Sequence, residues 1–131
     1  MGFATLQDVR DTGNLPDSGK LPDTKLTKHY QAALRELVRW IGTYTGFTGD
    51  DKENAKEAEC CLTLYYALPS LNIFFTEGAS TLQKEVGDME FQFMGQDDIK
   101  KAQKQWYERA RRAVADYNYT TGKKPIGFNA I

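Results

Sequence analysis

The apolar residues of this chain recur mainly at steps of three and four, which is the spacing of an amphipathic α-helix. The first long pattern covers residues 23–45, and Gly46 is its predicted C-terminal stop. The second covers residues 51–68, and Pro69 is expected to end that helix or to lie just beyond its end. The third covers residues 98–117. These patterns predict three long helices that pack through their apolar faces.

A shorter helix is predicted before them, from Thr5 to Arg10, because Thr5 is a good N-cap and Asp8 follows three positions later. The stretch from Asp11 to Asp23 is rich in Pro, Gly and Asp, which predicts an extended, exposed loop. The expected fold class is therefore mainly α, a small bundle of three longer helices plus the short N-terminal one. Seven residues from the three stripes are expected to be buried against one another: Leu37, Ile41, Leu62, Tyr65, Trp106, Ala110 and Ala113.

Residues 82–94 depart from the helical pattern. Gly87 and Asp88 form a tight-turn signal, and beyond them Met89, Phe91 and Phe93 alternate with polar residues as in a half-buried strand. An isolated hairpin is marginal in water, so this β-hairpin or extended loop needs a helix or another subunit to cover its apolar face. The residues expected at such an inter-subunit hairpin are Glu85, Gly87, Asp88, Met89, Phe91 and Phe93. Phe74 and Phe75, predicted to lie in a loop after the second helix, are further interface candidates.

The last residues, 118–131, are too irregular for a helix and too apolar for a simple solvated terminus. Such a tail is expected to lie against a partner, and the alternative is that it folds back and completes the protomer's own core. Its candidate docking residues are Lys123, Lys124, Ile126, Phe128 and Ile131. The chain is then one domain, 1–131, with an N-terminal segment and loop (1–22), a helical core (23–117) and an extended docking tail.

The charge is unevenly distributed along the chain. The total is −1, yet from Ile99 onward there are eight Lys/Arg and two Asp/Glu, whereas the first 98 residues carry nine Lys/Arg and sixteen Asp/Glu. This asymmetry favours electrostatic contacts with nucleic acid or with the acidic part of another copy, and the alternative is a merely solvated basic face. The basic face of the last helix comprises Lys100, Lys101, Lys104, Arg111 and Arg112. Lys104, Tyr107 and Arg111 partly satisfy the basic and aromatic pattern of a nucleic-acid platform.

Motifs for chemistry are missing from the sequence. It has no Gly-rich phosphate loop, no Ser-His-Asp arrangement and no G-x-S-x-G, and its one histidine, His29, is interpreted as a helix-surface residue. Cys60 and Cys61 are interpreted as reduced core residues of a protein made in the cytosol. The three carboxylates of the second helix are interpreted as a solvated face: Glu53, Glu57 and Glu59. The sequence therefore predicts no enzyme, no metal and no cofactor, and also no signal peptide or transmembrane segment.

The order of motifs resembles one protein family. A Thr-Leu-x-Asp-Val-like opening (residues 5–9) precedes a helix with an aromatic C-terminal half (34–44), and an Ala-x-x-x-Leu-x-x-Tyr-x-Leu-like helix follows (58–68). An extended segment with a Glu-x-Gly-Asp-like core (85–88), a last helix and a tail complete the order. This layout resembles the head-to-tail connector proteins of tailed phages, also called adaptor or head-completion proteins. The loop at 11–23 and the tail after Tyr117 are longer than in that pattern.

The resemblance implies a mostly helical protomer that assembles into a ring, twelvefold like the portal, below the portal in the neck of the virion. Such a ring extends the DNA channel and links the portal to downstream neck or tail proteins. Double-stranded DNA then passes nearby without being read in sequence. The alternative interpretation is a small helical DNA-binding or regulatory protein that uses the basic last helix, and a small enzyme subunit is a third.

Overall fold

A long central helix organises the fold, and three other helices pack on it. The computed structural model describes residues 2–19, 21–77 and 96–117. In chain order its helices are α1 (Leu6–Gly13), α2 (Thr24–Ile41), α3 (Gly49–Glu77) and α4 (Gln96–Ala113). The prediction of a mainly α protein with one short and three longer helices is confirmed, and the described residues contain no strand.

The N-terminus of α1 forms as its sequence predicts. Thr5 Oγ1 accepts a hydrogen bond from the Asp8 backbone N–H at 3.1 Å, and Asp8 Oδ2 accepts one from the Thr5 N–H at 2.9 Å. This capping box satisfies two backbone donors that a helix end leaves free. The helix continues past its predicted end to Gly13, and Asn14 closes it in the left-handed conformation.

The predicted loop at 11–23 is therefore shorter and less exposed than expected. Leu21 is fully buried in a cluster with Leu26 and Leu71. The buried guanidinium of Arg10 donates to the Leu21 carbonyl at 2.8 Å and to Asp23 Oδ1 at 2.7 Å. These contacts fix the loop against the start of α2.

Two predicted helix ends are wrong. Helix α2 stops at Ile41 instead of Thr45, because Gly42 takes a positive φ of 79° and donates its N–H to the Val38 carbonyl. Helix α3 passes through Pro69 and continues to Glu77, so Phe74 and Phe75 are helical and do not lie in a loop. The half-buried Phe74 packs against the buried Leu21–Leu71 cluster.

Helix α4 also differs from its predicted bounds. It begins two residues before Asp98 and ends at Ala113, after which a turn carries Val114 and Tyr117 into the core. The predicted hairpin at 82–94 and the tail at 118–131 lie outside the described residues.

The predicted core forms where α2, α3 and α4 meet. Four of its members are buried in one cluster: Leu37, Ile41, Leu62 and Ala110. The other three, Tyr65, Trp106 and Ala113, are half-buried and pack against it. Trp106 also packs against the two smaller clusters, one with α1 and one with the start of α2, so a single side chain of α4 joins all three parts of the core.

Candidate interaction surface

Most cations of helix α4 are exposed and form no ion pair with a carboxylate of residues 2–19, 21–77 or 96–117. Asp97 and Asp98 in its first turn and two arginines in its last turn complement the helix dipole. Among the described residues, Arg109 is the one cation of α4 in an ion pair, with Glu57 at 3.0 Å. The predicted basic-face residues are all exposed and outside any such pair: Lys100, Lys101, Lys104, Arg111 and Arg112. Unneutralised charge of one sign on one helix favours an acidic partner.

Aromatic rings from three helices lie beside these cations. Tyr107 of α4 packs edge-on against Trp40 of α2, with ring centroids 5.4 Å apart, and its ring lies 5.2 Å from that of Tyr65 of α3. The Arg111 guanidinium lies 4.3 Å from the Trp40 ring centroid, within cation–π range. The rings of Tyr65 and Tyr66 are also in contact.

The position of Trp40 is fixed from its own helix. Glu36, one turn earlier on α2, accepts a hydrogen bond from Trp40 Nε1 at 2.8 Å and pairs with Arg39 at 3.0 Å. Trp40 is therefore held in place to receive Arg111. We call the resulting patch the basic–aromatic surface, and its residues are Trp40, Tyr65, Lys100, Lys104, Tyr107 and Arg111. A groove of about 370 Å³ runs along it beside Gln103.

A second surface, of opposite charge, lies between α1, α3 and α4. It is an open cleft of about 320 Å³, and four carboxylates line it: Asp8, Asp11, Glu53 and Glu57. Lys56 and Arg109 also line the cleft and pair with Asp8 and Glu57, which leaves the carboxylates in excess. The hydrogen bond from the Thr5 backbone N–H is the main cause that lowers the pKa of Asp8, so this side chain is ionised at neutral pH. We call this the acidic cleft.

The two surfaces lie on opposite flanks of α4. Successive residues of an α-helix are about 100° apart around its axis, so Arg109 points about 140° to 180° away from Lys104 and Lys100. Arg109 lines the acidic cleft, whereas the two lysines line the groove of the basic–aromatic surface. The body therefore presents a basic flank and an acidic flank on opposite sides of one helix.

Glu59 corrects the prediction of a solvated carboxylate face on α3. Its side chain is fully buried, while Glu53 and Glu57 line the cleft. The Glu59 carboxylate accepts hydrogen bonds from the backbone N–H groups of Phe3 and Ala4, at 2.8–3.1 Å, and from the Tyr44 hydroxyl at 2.6 Å. The Tyr30 hydroxyl donates to the Ala4 carbonyl at 2.5 Å.

These contacts make Glu59 the anchor of the N-terminal segment. Burial raises the pKa of Glu59, and the hydrogen bonds from Tyr44, Ala4 and Phe3 oppose that rise. Burial also raises the pKa of Tyr44. A carboxylate enclosed by its own donors holds structure together and has no access to a substrate. The periodicity of α3 places Glu59 on the face of Ala55 and Leu62, which is the signal that could have found it.

Both cysteines lie in the core, as the sequence predicts. Cys60 and Cys61 are buried and unpaired. Burial raises the pKa of Cys60 to about 11 and that of Cys61 to about 12, so neither is a thiolate nucleophile at neutral pH. His29 is half-buried, and its pKa is lowered by that burial and by Lys28.

The structure brings three of the predicted basic-face residues, Lys100, Lys104 and Arg111, together on the basic–aromatic surface. It also places two aromatic rings there that the sequence did not predict as part of a site. Trp40 and Tyr65 belong to other helices, and no local pattern links them to α4. Lys101 and Arg112 are exposed on the solvent side of α4, about 100° to 120° from Lys100. The hairpin and tail residues lie outside the described ranges.

No three His, Cys, Asp or Glu side chains among residues 2–19, 21–77 and 96–117 form a group that could hold a metal ion. None of the helices in the described part of the chain is long and apolar enough to cross a membrane. The chain matches no protein-family model, no curated protein and no solved structure.

Proposed function

We propose that this chain is a structural, non-enzymatic protein of a tailed-phage neck, whose copies form a ring below the portal. The ring, twelvefold like the portal, would surround the exiting DNA and link the portal to downstream neck or tail proteins in the virion. The resemblance in motif order supplies this expectation. The observation that carries it furthest is the pair of oppositely charged flanks on the helical body.

Opposite charges on opposite flanks favour head-to-tail contacts between identical chains. In a two-fold dimer each surface meets its own copy, so a basic patch would face a basic patch. In a heterologous contact one chain's basic flank meets the next chain's acidic flank, and such contacts close into a ring when the rotation allows it. The aromatic rings beside the cations add apolar area, which is typical of the central residues of an interface.

The remaining parts of the proposal concern residues outside the described ranges. The predicted hairpin would pack on a neighbouring subunit through Met89, Phe91 and Phe93. The tail would dock on the portal or a neighbour through Ile126, Phe128 and Ile131, with Lys123 and Lys124 attracted to an acidic surface.

The test is co-expression of the chain with the portal protein of the same phage, followed by negative-stain imaging and native mass spectrometry. We expect rings coaxial with the portal. Lys100→Glu/Lys104→Glu should abolish them, because it reverses the charge of the basic–aromatic surface. The matched control is Lys28→Glu/Arg35→Glu, which reverses two exposed cations of α2 and should leave the rings intact. Portal particles that carry no added ring would contradict the proposal.

A second candidate is DNA binding, because the same surface places exposed lysines beside aromatic rings. Binding of the isolated protein to a duplex, weakening steeply with salt and lost in Lys100→Glu/Lys104→Glu, would favour it. Duplex binding without ring formation would replace the neck assignment with this one.

A further inference from the structure

A small apolar groove lies at the C-terminal end of α2, away from both charged surfaces. It has a volume of about 200 Å³, and its lining residues come from α2 and the loop that follows: Leu34, Val38, Thr43, Tyr44 and Thr45. Val38 is 45% exposed, so this apolar wall of the groove is open to solvent. The groove has room for one or two apolar side chains, and filling it would remove Val38 from water.

The described chain ends close to this groove. After α4, a turn brings Tyr117 into the core, where its ring lies 5.1 Å from that of Phe47. The Phe47 ring lies 5.9 Å from that of Tyr44, which lines the groove. The Tyr117 hydroxyl also donates to Asp51. The point where residues 118–131 begin is therefore fixed, and one aromatic residue separates it from a groove wall.

The residues beyond Tyr117 have the length and the composition to fill the groove. Ile126 is nine positions further on, and nine extended residues reach roughly 30 Å. In an extended segment residues i and i+2 point to the same side, so Ile126 and Phe128 can enter one groove together. A tethered segment also acts at a high effective concentration, which favours the chain's own groove over that of another molecule.

We propose that this groove binds Ile126 and Phe128 of the chain's own C-terminal segment in the free protein. The C-terminal segment, which docks on a partner in the proposed neck assembly, is then bound to its own protomer in the free chain. A partner that takes the segment must displace it from the groove, so partner binding and groove occupancy are mutually exclusive. The inference concerns the free chain and does not depend on the neck assignment.

The first experiment is hydrogen exchange with mass spectrometry on three full-length proteins: the wild type, Val38→Asp and Ile73→Asp. Ile73 is the matched control, because it is also an exposed aliphatic residue (58% exposed) and lies near the C-terminal end of α3. The groove lies near the opposite, N-terminal end of that helix. We expect amides of residues 124–130 to exchange about tenfold faster in Val38→Asp than in the other two proteins. Unchanged exchange in α3 and α4 would show that the variants are folded. Equal exchange of the tail in all three proteins would overturn the inference.

The second experiment identifies which molecule fills the groove. Full-length Val38→Cys/Phe128→Cys, oxidised at low protein concentration, should form a disulfide within one chain. Cys60 and Cys61 are buried with raised pKa values, so they do not compete. The control Ile73→Cys/Phe128→Cys should not cross-link. Disulfides mainly between two chains would assign the groove to another copy's tail, and cross-linking no higher than in the control would leave the groove without this occupant. Both results would overturn the inference.

Discussion

At the scale of single residues, Glu59 shows how burial changes the role of a charged side chain. It belongs to a run of carboxylates in the first half of α3, yet it alone of Glu53, Glu57 and Glu59 is enclosed. The enclosed carboxylate receives two consecutive backbone N–H groups and a tyrosine hydroxyl. It therefore serves the N-terminal segment as a capping side chain serves a helix end, but inside the core.

We predict that Glu59→Ala lowers the free energy of unfolding by about 3 kcal/mol, because it leaves three buried donors unpaired and opens a cavity. The matched control is Glu53→Gln on the exposed side of the same helix, which should change stability by less than about 0.5 kcal/mol. Urea denaturation followed by circular dichroism measures both. A loss below about 1 kcal/mol for Glu59→Ala would contradict the anchoring role.

The pH dependence of the same site has a definite sign. The pKa of Glu59 in the folded protein is raised above its ordinary value of 4.5. At a pH between the ordinary pKa and the folded pKa, the folded chain therefore holds a proton that the unfolded chain has released. The contribution of Glu59 to stability is therefore greatest below pH 4.5 and declines as pH rises toward the folded pKa. The free energy of unfolding of the wild type, minus that of Glu59→Gln, should therefore fall as the pH rises from 4.5 to the folded pKa of Glu59.

At the scale of helices, Pro69 explains both a wrong prediction and an inter-helix contact. A proline inside a helix has no N–H for the carbonyl four residues earlier, which here belongs to Tyr65. Gln103 of α4 donates its side-chain Nε2–H to that carbonyl at 2.8 Å. The acceptor left free by the proline is thus satisfied from the neighbouring helix. Buried Leu68 and Leu71 on either side of Pro69 pack in the core and favour continuation of α3.

We predict that Gln103→Ala destabilises the protein by about 1–3 kcal/mol, because it leaves the Tyr65 carbonyl unpaired. In a Pro69→Ala background the restored backbone N–H can reach the same carbonyl, so the cost of Gln103→Ala should fall by about 1 kcal/mol. A double-mutant cycle in urea gives this coupling energy, with Gln105→Ala as an exposed control on α4. Additive effects within error would show that Gln103 does not compensate for the proline.

The helices themselves and the N-termini of α1 and α2 were predictable, whereas the C-termini of α2 and α3 were not, for physical reasons. The three-four spacing gives the apolar stripe of each helix, and Thr5 with Asp8 gives the N-terminus of α1. The continuation of α3 depends on Gln103, which is distant in sequence. The end of α2 depends on which of two glycines takes a positive φ. Gly42 does so, and Tyr44, counted as part of the helical stripe, instead reaches Glu59 from the loop.

The candidate surface was predictable to a similar extent. The charge distribution along the sequence identified the exposed lysines and arginines of α4. Trp40 and Tyr65 lie on the apolar faces of two different helices, and their contact with Tyr107 arises only when three helices pack together. Glu59 has the same charge as Glu53 and Glu57, and only its position in the helical repeat, on the face of Ala55 and Leu62, distinguishes it from them.

At the scale of the whole molecule, the helical body presents one basic flank and one acidic flank. Arg109 helps to neutralise the acidic cleft, while Lys100 and Lys104 on the opposite side of α4 form no ion pair with the residues that the structure describes. In the proposed contact, the acidic cleft of a second copy meets the basic flank of the first. The acidic cleft of the first copy and the basic flank of the second then remain free to bind further copies. Under the proposed head-to-tail contact, the assembly would therefore grow by repeated rotation.

We predict that neutralising either flank alone prevents rings but that the two variants complement each other as dimers. One variant, Lys100→Ala/Lys104→Ala, keeps an intact acidic cleft. The other, Asp11→Asn/Glu53→Gln, keeps an intact basic–aromatic surface. In a mixture, the cleft of the first variant can bind the basic surface of the second, and no other contact of this kind is possible. Sedimentation velocity at low salt should show one-to-one dimers in the mixture and monomers in each variant alone, because salt weakens such contacts. Rings in either variant alone would show that these flanks do not meet in the assembly.

The positions of the two tryptophans give the protein a built-in optical readout. Trp40 is half-buried at the outer surface under a guanidinium, whereas Trp106 packs against every cluster of the core. Indole emission depends on the polarity and charge around the ring, so the Trp40 signal should follow occupancy of the surface and the Trp106 signal should follow loss of the fold. Binding at the basic–aromatic surface would therefore change the surroundings of Trp40 and leave those of Trp106 as they are.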